Sequence, residues 1–214
     1  MLTIALPTGR VFSDAVEMIS GAGLPCDGLA SPGRKLVIES GDFRYILAKP
    51  SDVPLYVSYG TADLAFAGGD VLLESAMPVV ELLDTGSGRC SVVVAGPRSQ
   101  AERFRGHASE LMGLKVATKY PRIADGHFSA RGAQVDIIHL HGSIELAPKL
   151  GLSDCILDIV QTGSTLRANS LEVLEHVCDV SLRLVASRKS TALRWKEIQS
   201  VMNKIASLVK EKRP

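Results

Sequence analysis

Cys155-Ile-Leu-Asp-Ile-Val-Gln-Thr-Gly-Ser-Thr-Leu166 is the stretch from which the whole chain is read. The apolar run Cys155–Leu157 predicts a buried strand, and Thr162-Gly163-Ser164-Thr165 predicts a tight turn opening a short helix. Such a turn gathers several backbone N–H groups and three hydroxyls into one small volume, and the helix start adds partial positive charge. Those are the needs of a phosphate monoester. Asp158, at the strand's exit, is placed to accept hydrogen bonds from sugar hydroxyls. One carboxylate followed by a phosphate cradle points to a ribose 5-phosphate site. The same residue types also serve as plain helix caps at strand–turn–helix junctions, so the surroundings decide.

Working outward, short apolar strands alternate with helical patterns through most of the chain. Thr3–Leu6 reads as a strand, Pro7-Thr8-Gly9-Arg10 as a loop, and Val11–Ile19 as a helix with Gly21 and Gly23 as stop signals. Leu36–Glu39 and Tyr45–Ala48 flank Ser40-Gly41-Asp42 as a hairpin, and Ser51–Ser58 reads as a short helix capped by Ser51. Leu64–Ala67 is a strand, followed by Gly68-Gly69-Asp70 and a helix over Val71–Ser75. A second series begins near Ser87: strands at Ser91–Ala95, Lys115–Thr118, Val135–Leu140 and Cys155–Val160, with helices over Pro121–Ala130 and around Ile144–Leu150. Val177–Ala186 reads as one long strand. Leu193–Lys212 reads as an amphipathic helix whose stripe is Leu193, Ile198, Val201, Met202, Ile205, Leu208 and Val209, with a basic end at Lys210–Arg213.

This alternation predicts an α/β fold with largely parallel sheets. Two short series predict two α/β lobes around a cleft, 1–86 with 181–214 and 87–180, crossing over at the Gly/Ser-rich Asp84–Gly88 and returning near Val177–Arg183.

Composition sets the bounds. The chain has 214 residues, 46% apolar and 22% charged, ordinary for a globular protein, and a formal net charge of +1 does not by itself point to a polyanion-binding surface, though it leaves room for a local basic patch. Cys26, Cys90, Cys155 and Cys178 are scattered, without a C-x-x-C pair, as in reduced cytosolic proteins. Met1–Pro7 lacks the pattern of a signal peptide, and no apolar run approaches the ~20 residues of a membrane span. The expectation is a cytoplasmic protein with neither nucleic acid nor membrane as partner. His139-Leu140-His141 can present both imidazoles on one strand face, which suits a metal. No third ligand stands at suitable spacing, so ordinary polar side chains are expected and no protein metal site. Trp195 is expected in packing or a subunit contact.

The segment Val116–Asn169 resembles the ATP phosphoribosyltransferases of histidine biosynthesis. The residues that carry it are Ala117-Thr118-Lys119-Tyr120-Pro121, Gly142-Ser143-Ile144-Glu145-Leu146-Ala147-Pro148, Gly151-Leu152 and Asp158 through Leu166. Leu6-Pro7-x-Gly9-Arg10, Gly33-Arg34-Lys35-Leu36, Asp52-Val53-Pro54, Ala62-Asp63-Leu64 and Gly69-Asp70-Val71-Leu72-Leu73-Glu74 extend it over nearly the whole chain. The resemblance implies a fold like the type II periplasmic binding proteins. It implies joining N1 of the adenine of ATP to C1 of phosphoribosyl pyrophosphate (PRPP), with loss of pyrophosphate and with Mg²⁺ on that group. With the chain ending after its amphipathic helix, it implies the short form of the family, which works with a histidyl-tRNA-synthetase-like regulatory subunit in a hetero-octamer.

On the same resemblance, Asp158 holds the ribose hydroxyls and Thr162, Gly163, Ser164 and Thr165 hold the 5-phosphate. Glu145 faces the ribose or the metal, with a helix-start carboxylate as the structural alternative. Arg34 and Lys49 face the pyrophosphate, against an exposed loop charge for Arg34. Gly9 and Arg10 bind nucleotide or phosphate, and Gly69 and Asp70 lie near the adenine or its ribose, against a plain N-cap for Asp70. There are three departures from the family pattern. Thr8 stands where it usually has Lys, Lys49 where it usually has Arg, and Gln161 at an often acidic position. Thr8 and Lys49 keep open a homologue that binds nucleotide without turnover, beside a solute-binding module of the same fold. Salvage phosphoribosyltransferases carry two adjacent acids before the turn, where this chain has Leu157-Asp158.

Overall fold

The computed structural model describes residues 1–212. In chain order the elements are β1 (Leu2–Pro7), α1 (Phe12–Gly21), β2 (Val37–Ser40), β3 (Phe43–Ala48), α2 (Val53–Ser58), β4 (Leu64–Gly68), α3 (Gly69–Ser75) and β5 (Val80–Asp84). Next come β6 (Cys90–Gly96), α4 (Ala101–Arg105), β7 (Lys115–Thr118), α5 (Pro121–Ala130), β8 (Asp136–His139), α6 (Leu146–Lys149), β9 (Cys155–Val160), α7 (Ser164–Ala168) and β10 (Glu172–Val180). The chain closes with β11 (Leu182–Ala186), α8 (Arg188–Leu193) and α9 (Trp195–Lys212). It divides into two compact units: Met1–Arg89 with the chain from Ser181 onward, and Cys90–Val180. Among the described residues no helix is long and apolar enough to cross a membrane.

The first unit holds a six-stranded sheet in the order β2-β3-β1-β4-β11-β5. Side chains alternate across it with period two. Ile4 and Leu6 of β1, Leu64 and Phe66 of β4 and Leu182 and Leu184 of β11 enter the larger core, with Ala15, Met18 and Ile19 of α1 and Ile198, Val201, Ile205 and Val209 of α9. The opposite face is built of small residues, Ala5, Ala65 and Ala67, against Val53 and Val57 of α2. Small side chains there let a short helix lie close to the sheet.

The second unit holds a five-stranded sheet in the order β10-β6-β9-β7-β8. Val92, Val94, Val116, Cys155 and Leu157 pack on one face against Phe104 of α4 and Ala124 and Phe128 of α5. Val93, Ala95, Ala117 and Ile156 pack on the other against Ile144, Ala147, Leu166 and Leu171.

Several expectations are corrected. The sheets are mixed: β1 runs parallel to β3 and β4, and β7 to β8 and β9, while the remaining pairings are antiparallel. Val177–Ala186 is not one strand. It breaks at Ser181, whose hydroxyl donates to Asp84 at 2.6 Å. β10 pairs with β6 before the break and β11 with β4 and β5 after it. A strand-like pattern cannot reveal a change of sheet. β5 and α4 escape the sequence reading, being short and interleaved with charges.

The last helix begins at Trp195, not Leu193. Arg194 interrupts it (φ −132°), bonding Asp63, Glu197 and the Met1 carbonyl, and Leu193 is 73% exposed rather than part of the stripe. Ser51 does not cap α2. Pro50–Asp52 forms a 3₁₀ turn first, and the Ser51 hydroxyl donates to Asp52. Arg213, expected in the basic helix end, lies outside the described residues.

Candidate active site

The expected residues of the first unit lie at one end of its sheet. β3, β1 and β4 are adjacent and parallel, so their carboxyl ends sit side by side, the position where open α/β sheets bind ligands. Lys49 follows β3, Gly9 and Arg10 follow β1, and Gly69 and Asp70 follow β4. Arg34 precedes β2, which runs antiparallel to β3 with Val37 opposite Ile46, so it too reaches this end. Arg34, Lys49, Gly9 and Arg10 are exposed, whereas Asp70 is buried. Asp70 stands in the first turn of α3 with its carboxylate folded back over Gly68 so closely that a Cβ there would overlap it. It is not the N-cap, which is Gly68.

Thr8, in the position of the absent lysine, bonds the neighbouring strand. Its N–H donates to the Ala48 carbonyl at 2.8 Å and its hydroxyl donates to the same oxygen at 3.2 Å. That contact holds the loop bearing Gly9 beside Lys49. Arg10 donates from Nη1 to the Gly88 carbonyl at 3.2 Å, which ties the β1–α1 loop to the crossover segment.

The second unit repeats the arrangement. β9, β7 and β8 are adjacent and parallel, and the turn Thr162–Thr165 follows the carboxyl end of β9, while Glu145 follows that of β8. Asp158 is inside β9 rather than at its exit. The strand continues to Val160 against β6, but its pairing with β7 ends at Thr118 and Leu157, one residue before Asp158. The buried Thr118 hydroxyl fixes that junction, donating to the Leu157 carbonyl at 2.7 Å and accepting from the Tyr120 N–H at 2.8 Å. Asp158 Oδ1 accepts from the Ile159 N–H at 2.8 Å, which orients the carboxylate.

Gly163 takes the left-handed conformation (φ +70°), the bend that starts α7 at Ser164 and that suits glycine best. Thr162, Ser164 and Thr165 are exposed, with the Thr162 and Ser164 hydroxyls 3.0 Å apart. The carbonyls of Gly163 and Thr165 accept from Arg167 and Asn169 within the helix, leaving the hydroxyl side of the turn toward solvent. Glu145 is half-buried, one residue ahead of α6, on a segment where Ser143 holds φ +50°.

Two features escape the sequence reading. Arg167 lies over the turn, its Nη1 3.1 Å from the place of a Gly163 Cβ. The signal was its spacing, one helical turn beyond Gly163. The other is Thr118, whose role as a strand clamp needs both partners in view. The twelve expected residues fall in two groups of six. Gly9, Arg10, Arg34, Lys49, Gly69 and Asp70 belong to the first unit, and Glu145, Asp158, Thr162, Gly163, Ser164 and Thr165 to the second.

The family model described as HisG: ATP phosphoribosyltransferase matches residues 49–207. This chain belongs to the ATP phosphoribosyltransferase family. The ATP phosphoribosyltransferase of Rubrobacter xylanophilus is 46% identical over 216 residues, covering 100% of this chain and 97% of that protein. Among solved structures, a chain of the ATP phosphoribosyl transferase (HisG:HisZ) complex from Thermotoga maritima superposes with a TM-score of 0.83 at 30% identity, covering 99% of this chain and 100% of that one. The periplasmic aliphatic sulphonate binding protein SsuA from Escherichia coli is similar with a TM-score of 0.62 at 13% identity, covering 97% of this chain and 72% of that one. The last likeness concerns the fold alone: the ATP phosphoribosyltransferase chain has the architecture of a type II periplasmic binding protein.

Proposed function

We propose that this chain transfers the phosphoribosyl group of PRPP to N1 of the adenine of ATP, the first step of histidine biosynthesis. The new bond forms between adenine N1 and ribose C1 while the C1–O bond to pyrophosphate breaks, and pyrophosphate leaves with the electron pair. The observation that carries the reading is the β9–α7 junction: one oriented carboxylate, Asp158, ahead of a turn with exposed hydroxyls and a left-handed glycine. Asp158 holds the ribose hydroxyls, and the amides and hydroxyls of Thr162, Gly163, Ser164 and Thr165 hold the 5-phosphate. Arg34 and Lys49 offset the charge of the leaving pyrophosphate. Gly9, Arg10, Gly69 and Asp70 hold the nucleotide. No covalent nucleophile is needed, because positioning and charge stabilisation supply the rate.

Among the described residues no three His, Cys, Asp or Glu side chains converge as a ligand set. Mg²⁺ does not need such a set, since one or two carboxylates complete a shell built from substrate phosphates and water. Glu145, after the carboxyl end of β8, and Asp158, one residue beyond the β7 pairing of β9, are carboxylates that would fit that requirement. When bound, Mg²⁺ supplies neutralisation of pyrophosphate charge.

The regulatory partner belongs to the same reading. The Thermotoga maritima neighbour is a HisG:HisZ complex, and this chain is proposed to assemble with a histidyl-tRNA-synthetase-like subunit in a cytoplasmic hetero-octamer.

The test mixes the protein with ATP, PRPP and Mg²⁺, with and without that subunit, and follows the ultraviolet change of N1-ribosylated adenine. Turnover is expected, and no product even with the subunit overturns the reading. Asp158→Ala is expected to weaken PRPP binding far more than ATP binding, and equal loss of both removes Asp158 from the ribose site.

A further inference from the structure

The imidazoles of His139 and His141 stand with their ring centroids 4.8 Å apart and their planes inclined at 56°. Both are exposed. His139 is the last residue of β8, the edge strand of its sheet, and His141 stands two residues beyond it, where the chain bends away. The pairing continues past His139, because the Leu140 N–H donates to the Thr118 carbonyl at 2.9 Å. That bond carries the pairing one residue past the strand, and the short ring-to-ring distance shows that His141 lies on the same side as His139. The reaction proposed above assigns neither residue a role.

We propose that His139 and His141 form a two-imidazole site for a divalent transition-metal ion. A metal–nitrogen distance of about 2.0–2.1 Å and cis ligands at roughly 90–110° require ring centroids about 4.5–5.2 Å apart. The observed separation falls inside that range, so rotation of these exposed rings about their side-chain bonds suffices to turn one nitrogen of each toward a shared ion. Neutral imidazole suits Cu²⁺, Ni²⁺ and Zn²⁺ and not Mg²⁺, which prefers oxygen. The site therefore does not compete with the cation carried by PRPP. Among the described residues no third His, Cys, Asp or Glu joins the pair, so water completes the coordination and the ion exchanges readily.

The test is calorimetric titration of the full chain with Ni²⁺, repeated for His139→Ala, His141→Ala, His176→Ala and the double variant Cys26→Ser/Cys178→Ser. Losing either imidazole removes the chelate, so each of the first two variants is expected to weaken binding by about a hundredfold. The other two variants test another exposed imidazole–carboxylate pair, His176 with Asp179, and the partly accessible thiols. They are expected to bind like the parent. A second measurement does not depend on affinity: substoichiometric Cu²⁺ should broaden the amide resonances of residues 138–143 first. Binding unchanged in both His139→Ala and His141→Ala, binding lost with His176 or the thiols, or broadening centred elsewhere would each overturn the proposal.

Discussion

Arg167 folds back over Gly163, with Nη1 3.1 Å from the position a Cβ would take. The glycine of the Thr162–Thr165 turn is favoured by its left-handed backbone, and a Cβ there would also displace the guanidinium above it by a few tenths of an ångström. In Gly163→Ala the left-handed backbone costs about 1–2 kcal/mol, and the arginine must also give way. The Michaelis constant for PRPP is expected to rise about tenfold or more, as a loss of some 1.4 kcal/mol implies, while that for ATP holds. In an Arg167→Ala background the contact is gone and only the backbone cost remains. The Gly163→Ala penalty should therefore shrink, a coupling that a double-mutant cycle reads directly. An unchanged penalty in that background would separate Arg167 from the turn.

Gly68 plays a comparable part in the first unit. A methyl group there would overlap the buried Asp70 carboxylate, which must then shift. Gly68→Ala should displace that carboxylate from the start of α3, weakening ATP binding and costing about 1–3 kcal/mol of stability. Fluorescent nucleotide titration and thermal unfolding measure the two effects. Unchanged nucleotide affinity would remove Asp70 from the ATP site.

Thr8 spends its hydroxyl on the Ala48 carbonyl. Thr8→Lys gives up that bond, worth about 1 kcal/mol net, and puts a cation at the carboxyl end of β1. Turnover or nucleotide affinity is expected to increase while the melting temperature drops slightly. Kinetics identical to the parent would mean that charge at this end of the sheet is already sufficient.

The boundary between α8 and α9 makes a test of packing. Ile205 is fully buried and Leu193 is 73% exposed. Ile205→Ala should cost about 2–5 kcal/mol, and Leu193→Ala no more than about 0.5 kcal/mol. Urea unfolding at constant m distinguishes them. A large loss at Leu193 would restore it to the helical stripe.

Strand and turn chemistry made much of this legible in advance. The hairpin around Gly41, the helix from Pro121 and the turn at Gly163 all follow from residues that act within a few positions of themselves. The breaks at Ser181 and Arg194 did not, because each is held by partners far away in sequence. Ser181 bonds Asp84, and Arg194 bonds Asp63 and the first residue's carbonyl.

The amino-acid sequence by itself determined the α/β class, the local bend at Thr162–Thr165 and the family. These rest on periodicity, glycine's backbone freedom and short contiguous motifs, all of them local. Only the tertiary structure decided that the sheets are mixed, that Asp158 lies one residue beyond the β7 pairing, and that Arg167 covers Gly163 and Asp70 folds over Gly68. Those depend on which strands become neighbours and which side chains then compete for the same few cubic ångströms. No local pattern encodes that competition, because it is settled only when distant segments are packed at van der Waals contact.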